Sequence, residues 1–290
     1  MARYDFVTLD VFTDQRFGGN PLAVFPDARG LDTATMQALA REFNMSETAF
    51  VLPPRDPAHT ARVRIFTATV EIAYAGHPNV GVGWVMAQAG RDRDGRLLFE
   101  EDAGLVTVEV SRTDGAVTAC RVEGPQCLSL GEPPTKEEIA ACAGLPVVEI
   151  GTPRLASVAL STVCVPVSRD ALARAVCDPA GFRAIGRRRP DLARICLLYL
   201  YARDGGRVWA RMFAPSSGTV EDPATGSAAA ALTGLLLSES EEERLALEIV
   251  QGVEMGRPSR MSLEAARTPA GIRTWVGGGC VRVLSGQAEV

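Results

Sequence analysis

The sequence predicts an α+β chain made of two similar halves, each a curled, barrel-like sheet wound around one short buried helix. Three features carry that reading. Short strand-like segments recur along all 290 residues. Two short helical segments, one late in each half, are apolar on every side. Each of these is entered through a polar turn that contains glycine.

Residues 3–12 (RYDFVTLDVF) alternate as a strand, and the GGNP turn at Gly18–Pro21 leads into a second, LAVF. Asp32 or Thr33 can cap a helix, TATMQALAREFN, whose apolar positions Met36, Leu39, Ala40 and Phe43 recur at helical spacing, with Asn44 as its stop. Glu47 then stands just ahead of a strand at Ala49–Leu52. After the strand ARVRIFT, the turn Tyr74-Ala75-Gly76-His77-Pro78 opens a nearly all-apolar helix over 79–89. The strands LLFEE, GLVTVEVSR and AVTACRVE bring the first half to residue 124.

The second half, 125–276, begins with a helix around Lys136–Cys142 and short strands near 146–150 and 156–167. Helices over 169–177 and 179–188 precede strands over 194–203 (RICLLYLYAR) and VWARMFA. Then comes EDPATGSAAAALTGLLL, with a second central helix over 227–237. LALEIVQGVEM, SRMSLEAA and IRTWV follow, and the last strand, within 277–290, can return to the first half.

The second central helix is too short to span a bilayer, which needs about 20 apolar residues, so it belongs in a core. Its entrance carries Asp222, Thr225, Gly226 and Ser227. Unpaired N–H groups and the positive end of the helix dipole make such a start a seat for a substrate carboxylate. Asp222 before Pro223 equally reads as an N-cap with proline at the first helical position. His77 reads either as a polar cap or as a general acid or hydrogen-bond donor titrating near neutrality. Glu47 taken alone is a solvated turn carboxylate.

Composition narrows the function classes. Hydrophobic content of 47% and charged content of 22% suit a soluble globular protein, and a net charge of −5 leaves no footprint for nucleic acid or an anionic membrane. The opening residues alternate like a strand and lack a signal peptide's unbroken apolar core, and no run of about 18 apolar residues occurs. Seven cysteines, odd in number and without a C-x-x-C, read as reduced, buried thiols in the cytoplasm. Two histidines and no zinc-like spacing argue against a metal site. The one lysine, Lys136, lies in a polar turn, which argues against a pyridoxal Schiff base.

GGNPLAVF, NMSETAFV, RIFT, AGHPNVG, RMFAPSSGTVEDPATGSAA and EIVQGVEMGRPS, in this order, resemble the PhzF-like family of phenazine biosynthesis isomerases from about residue 5 to 265. The resemblance implies the diaminopimelate epimerase-like fold, with two pseudo-symmetric halves, a catalytic cleft between them, no cofactor and a homodimer. It puts the family's proton-shuttling glutamate on Glu47, its glycine–histidine pair on Gly76 and His77, its aspartate on Asp222 and its helix-start serine on Ser227. Glu47, His77 and Asp222 are then the expected catalytic residues. Gly76, Gly226 and Ser227 are expected to bind the substrate, a small carboxylic acid with trans-2,3-dihydro-3-hydroxyanthranilate as the candidate. Related epimerases and racemases carry a cysteine before each central helix. Here those places are Ala75 and Pro223, which argues against two-cysteine racemisation.

Overall fold

The computed structural model describes residues 2–193, 196–204 and 206–290. It divides into two compact units, Met1–Glu123 with Gly277–Val290, and Gly124–Val276.

In the first unit, the strand Arg3–Val11 is flanked by two antiparallel partners, Cys280–Glu289 and Asn20–Phe25. Asn20–Phe25 then runs parallel to Glu47–Leu52. The helix Thr33–Phe43 makes that crossover. Asp32 caps it by accepting the Thr35 N–H at 2.7 Å, and Asn44 stops it in the left-handed conformation (φ 49°). Glu47–Leu52 pairs antiparallel with Ala61–Phe66, which in turn runs parallel to Arg96–Glu101. The second crossover passes through the short strand Glu71–Ile72 and the helix Gly76–Gln88. Gly104–Thr113 and Ala116–Glu123 complete the sheet antiparallel.

The second unit repeats this order. Arg154–Ser157 pairs antiparallel with Thr162–Pro166, which runs parallel to Leu197–Asp204 after a crossover through two helices, Arg169–Arg174 and Pro179–Arg188. Arg207–Ala214 pairs antiparallel with Leu197–Asp204 and parallel with Arg244–Gln251. That last crossover again passes through a short strand, Thr219–Asp222, and then a helix, Gly226–Ser238. Ser259–Thr268 closes the series antiparallel.

The two crossover helices are the central ones. Gly76–Gln88 packs against strands on both sides of its unit, from Arg3–Val11 to Ala116–Glu123. Eleven of its residues are buried. Glycine permits the close approach: a Cβ at Gly81 would lie 2.4 Å from the Leu22 side chain, and one at Gly83 2.6 Å from that of Val108. In Gly226–Ser238, the run Ala228–Leu235 is wholly buried among the strands of its own unit. These are helices with no face for water, as their sequences require.

Several boundaries differ from the sequence expectations. Both central helices begin earlier, taking Gly76-His77-Pro78 and Gly226 into their first turns, where a proline costs no hydrogen bond. The segment 146–150 is not a strand but a 3₁₀ turn, Val147–Glu149, closed by local bonds from Glu149 N–H and Ile150 N–H. Its two valines point outward, Val148 being 91% exposed, so no sheet claims them. The strand expected over 194–203 is Leu197–Asp204, and residues 194–195 lie outside the described residues. No described helix is long and apolar enough to cross a membrane.

Candidate active site

In the first unit the helix Thr33–Phe43 ends at Asn44, two residues turn, and Glu47 opens the next strand, in register with Leu22. That strand pairing brings the Asn20–Pro21 segment beside Glu47, and the Ser46 hydroxyl lies 3.4 Å from Asn20 Oδ1. Because Gly81 lets the central helix press on Leu22, the second helical residue, His77, reaches the same place. Its Nδ1 lies 3.3 Å from Glu47 Oε2. Its ring also hydrogen-bonds to the Pro21 carbonyl.

His77 is 6% exposed, and its Nε2 has no hydrogen-bond partner among the described residues. Burial pushes its pKa down from 6.5 to about 3, and the bond to the Pro21 carbonyl opposes this only in part. Burial thus favours the neutral imidazole, against the expectation that His77 titrates near neutrality.

In the second unit, Asp222 ends the strand Thr219–Asp222 and is 8% exposed. It is not the cap of the following helix. That cap position falls on Thr225, and neither central helix has a side-chain cap bond at its start. The other four described α-helices are each capped by a side chain, from Asp32, Thr135, Ser168 and Asp178. The Thr225 hydroxyl instead donates to Asp222 Oδ2 at 2.6 Å. The strand holding Asp222 is anchored by the neighbouring Glu221, whose carboxylate takes both arms of the buried Arg211 guanidinium at 2.8 and 2.9 Å.

Gly76 and His77 are thus the first two residues of one central helix, and Gly226 and Ser227 the first two of the other. Within the first unit Glu47 and His77 meet; within the second, Asp222 sits at the approach to the Gly226-Ser227 start. Gly226 is buried and Ser227 partly so.

Residue patterns alone left several supporting groups without a role. Gln251, fully buried, bonds to the Asp222 and Thr225 backbone, and Tyr199 bonds to Gln251 in turn. The available signal was a glutamine ending the apolar strand LALEIVQ, since a buried amide needs partners. Gly252 follows in the left-handed conformation (φ 77°), where a Cβ would come within 2.7 Å of the Pro223 carbonyl. Among the described residues no group of three or more His, Cys, Asp or Glu side chains is arranged to hold a metal ion. Lys136 is exposed at the head of its helix.

The model of the phenazine biosynthesis-like proteins, PhzC-PhzF, matches residues 9–286. The chain belongs to the PhzF family. This PhzF-family isomerase is 40% identical to an uncharacterized isomerase of Mesorhizobium japonicum, over 99% of each chain. It is 39% identical to the trans-2,3-dihydro-3-hydroxyanthranilate isomerase of Pseudomonas aeruginosa, over 91% of each. A PhzF-family protein of Bacillus anthracis superposes with a TM-score of 0.89 over all of both chains at 23% identity. A hydroxyproline epimerase of Agrobacterium vitis superposes with a TM-score of 0.64 at 13% identity, covering 98% of this chain and 92% of its own. The fold is accordingly the diaminopimelate epimerase-like α+β fold. The PhzF-family chain has no thiol at Ala75, Pro223 or the helix-entry residue Thr225.

Proposed function

We propose that this isomerase works without a cofactor, shifting a proton within a small cyclic unsaturated carboxylic acid, with trans-2,3-dihydro-3-hydroxyanthranilate as its substrate. The observation that carries the mechanism is the Glu47 carboxylate 3.3 Å from Nδ1 of a buried, neutral His77. Glu47 takes the proton from one carbon and returns it to another. His77, favoured in its neutral form by burial, packs its ring beside Glu47 and meets the substrate's polar groups. Asp222 engages a polar group of the substrate. The N–H groups of Gly76, Gly226 and Ser227, at two helix starts without side-chain caps, hold carboxylate charge.

The identity with the Pseudomonas aeruginosa enzyme supports this choice of substrate. The same proposal places the chain in phenazine, and so antibiotic, biosynthesis, as a cytoplasmic homodimer whose two units are the pseudo-symmetric halves of the fold.

The test is incubation of purified protein with trans-2,3-dihydro-3-hydroxyanthranilate, following loss of the diene absorbance and the product by mass spectrometry. Turnover abolished by Glu47→Gln supports the assignment. An inert wild-type protein sinks the substrate, and a panel of other cyclic and amino acids then separates a different isomerase from a binding protein.

A further inference from the structure

We propose that Gln251 is a positioning residue: through Thr225 it fixes Asp222 Oδ2 as a hydrogen-bond acceptor, so that Asp222 meets the substrate as a carboxylate facing a donor group, an amine or hydroxyl. This rests on the reading above that Asp222 engages the substrate.

Backbone groups have only one polarity, and they settle which way the Gln251 amide points. The Thr225 N–H donates to Gln251 Oε1 at 3.3 Å, and Gln251 Nε2 donates to the Asp222 carbonyl at 2.7 Å. A reversed amide would set donor against donor and acceptor against acceptor in a site with no access to water, since Gln251 is fully buried. Tyr199 adds a second lock. Its hydroxyl donates to Oε1 at 3.0 Å, and burial holds its pKa well above the ordinary value, so it stays a donor.

With the amide so oriented, the second Nε2 hydrogen goes to Thr225 Oγ1 at 3.1 Å. Thr225 has one hydroxyl hydrogen, and with its oxygen accepting from Gln251 that hydrogen points to Asp222 Oδ2, 2.6 Å away. A proton on Oδ2 would face the hydroxyl hydrogen across that distance. The relay therefore runs one way, from Tyr199 to Gln251, to Thr225, to Asp222, and it favours the ionised aspartate. Gly252 keeps the relay compact, because any larger residue would collide with the Pro223 and Arg257 carbonyls.

The experiment is a pH titration of Asp222 in the full-length protein carrying ¹³C-carboxyl aspartate, assigned with Asp222→Asn and run without any substrate. Thr225→Val, which loses the hydroxyl and keeps the shape, and Gln251→Leu should each raise the Asp222 midpoint by about one pH unit, a tenfold loss of preference for the ionised form. Thr225→Ser, which keeps the hydroxyl, should titrate as the native protein does. Where the variants convert trans-2,3-dihydro-3-hydroxyanthranilate, kcat should fall with the same ranking while melting temperature tracks only packing. An unchanged midpoint in Thr225→Val overturns the relay, and this variant decides alone if Gln251→Leu does not fold. A moved midpoint with native kcat overturns the link to catalysis. If wild-type protein does not turn that acid over, the substrate proposal fails, and the titration still decides the relay.

Discussion

Glu47 Oε2 lies 3.3 Å from Nδ1 of His77, an imidazole that burial keeps uncharged. The two belong to different elements thirty residues apart, a strand start and a helix start, and their contact sets the chemistry open to either. A carboxylate beside a neutral imidazole keeps its basic oxygen, whereas one beside an imidazolium would be tied up in an ion pair.

Replacing Glu47 with glutamine preserves size and hydrogen-bonding reach and removes the base. Turnover should fall by about 10²–10⁴-fold, the usual weight of general acid–base catalysis. The melting temperature should stay close to native. Steady-state kinetics beside a thermal melt check this, and near-native turnover in Glu47→Gln would remove Glu47 from the mechanism.

The ionisation state of His77 is directly measurable. With its pKa moved from 6.5 down to about 3, the ring disfavours a proton in the folded state. The stability it contributes is complete above about pH 6.5 and is lost as pH falls toward 3. Nitrogen-15 spectra should show a neutral imidazole from about pH 8 down to pH 5. A midpoint near 6.5 would contradict the assignment.

Alkylation should leave activity intact. The seven thiols are free, and Cys120, Cys142, Cys164 and Cys196 are buried. Burial pushes the Cys120 thiol up to about 12, and Cys177 and Cys196 up to about 11, so little reactive thiolate is present at neutral pH. Iodoacetamide under native conditions should change turnover little. Fast inactivation with protection by substrate would show a working cysteine.

Glu101 offers a separate stability test. Both of its carboxyl oxygens are buried without a hydrogen-bond partner among the described residues, and burial raises its pKa from 4.5 to about 8. Because the folded value is the higher, its contribution is complete below about 4.5 and declines as pH rises through 8. The gap corresponds to at most on the order of 5 kcal/mol. Denaturant melts should show Glu101→Gln losing less stability than the native chain between about pH 6 and 9. Parallel pH dependence of the two proteins would refute a buried neutral acid.

Much of the architecture is readable from local pattern. The all-apolar runs in 79–89 and 227–237 announce buried helices, because a helix with no polar face has nowhere else to go. The Asp32 cap and the Asn44 stop are equally local signals. What stayed hidden depends on partners distant in sequence. Val147 and Val148 have strand-like side chains, yet no described strand pairs with them. Asp222-Pro223 has the spelling of a helix cap, but the chain continues three residues further before turning into Gly226–Ser238. The neutrality of His77 comes from strands packed around its helix, and the partners of Gln251 lie 26, 29 and 52 residues away. No window of sequence contains those relationships.

The strand Cys280–Glu289 lies beside Arg3–Val11, and Ala2 and Val290 exchange backbone hydrogen bonds at 2.9 and 3.0 Å. This has a consequence for biogenesis. On a ribosome, the unit Gly124–Val276 is continuous and emerges whole, while the unit bearing Glu47 and His77 waits for Gly277–Val290 to follow it. A chain that stalls before Cys280 thus lacks a strand that pairs with Arg3–Val11 in the sheet that presents Glu47. The joined ends also make a linker between Val290 and Ala2, with new termini cut in an exposed turn, a natural circular permutation, in which the Glu47 unit would become contiguous.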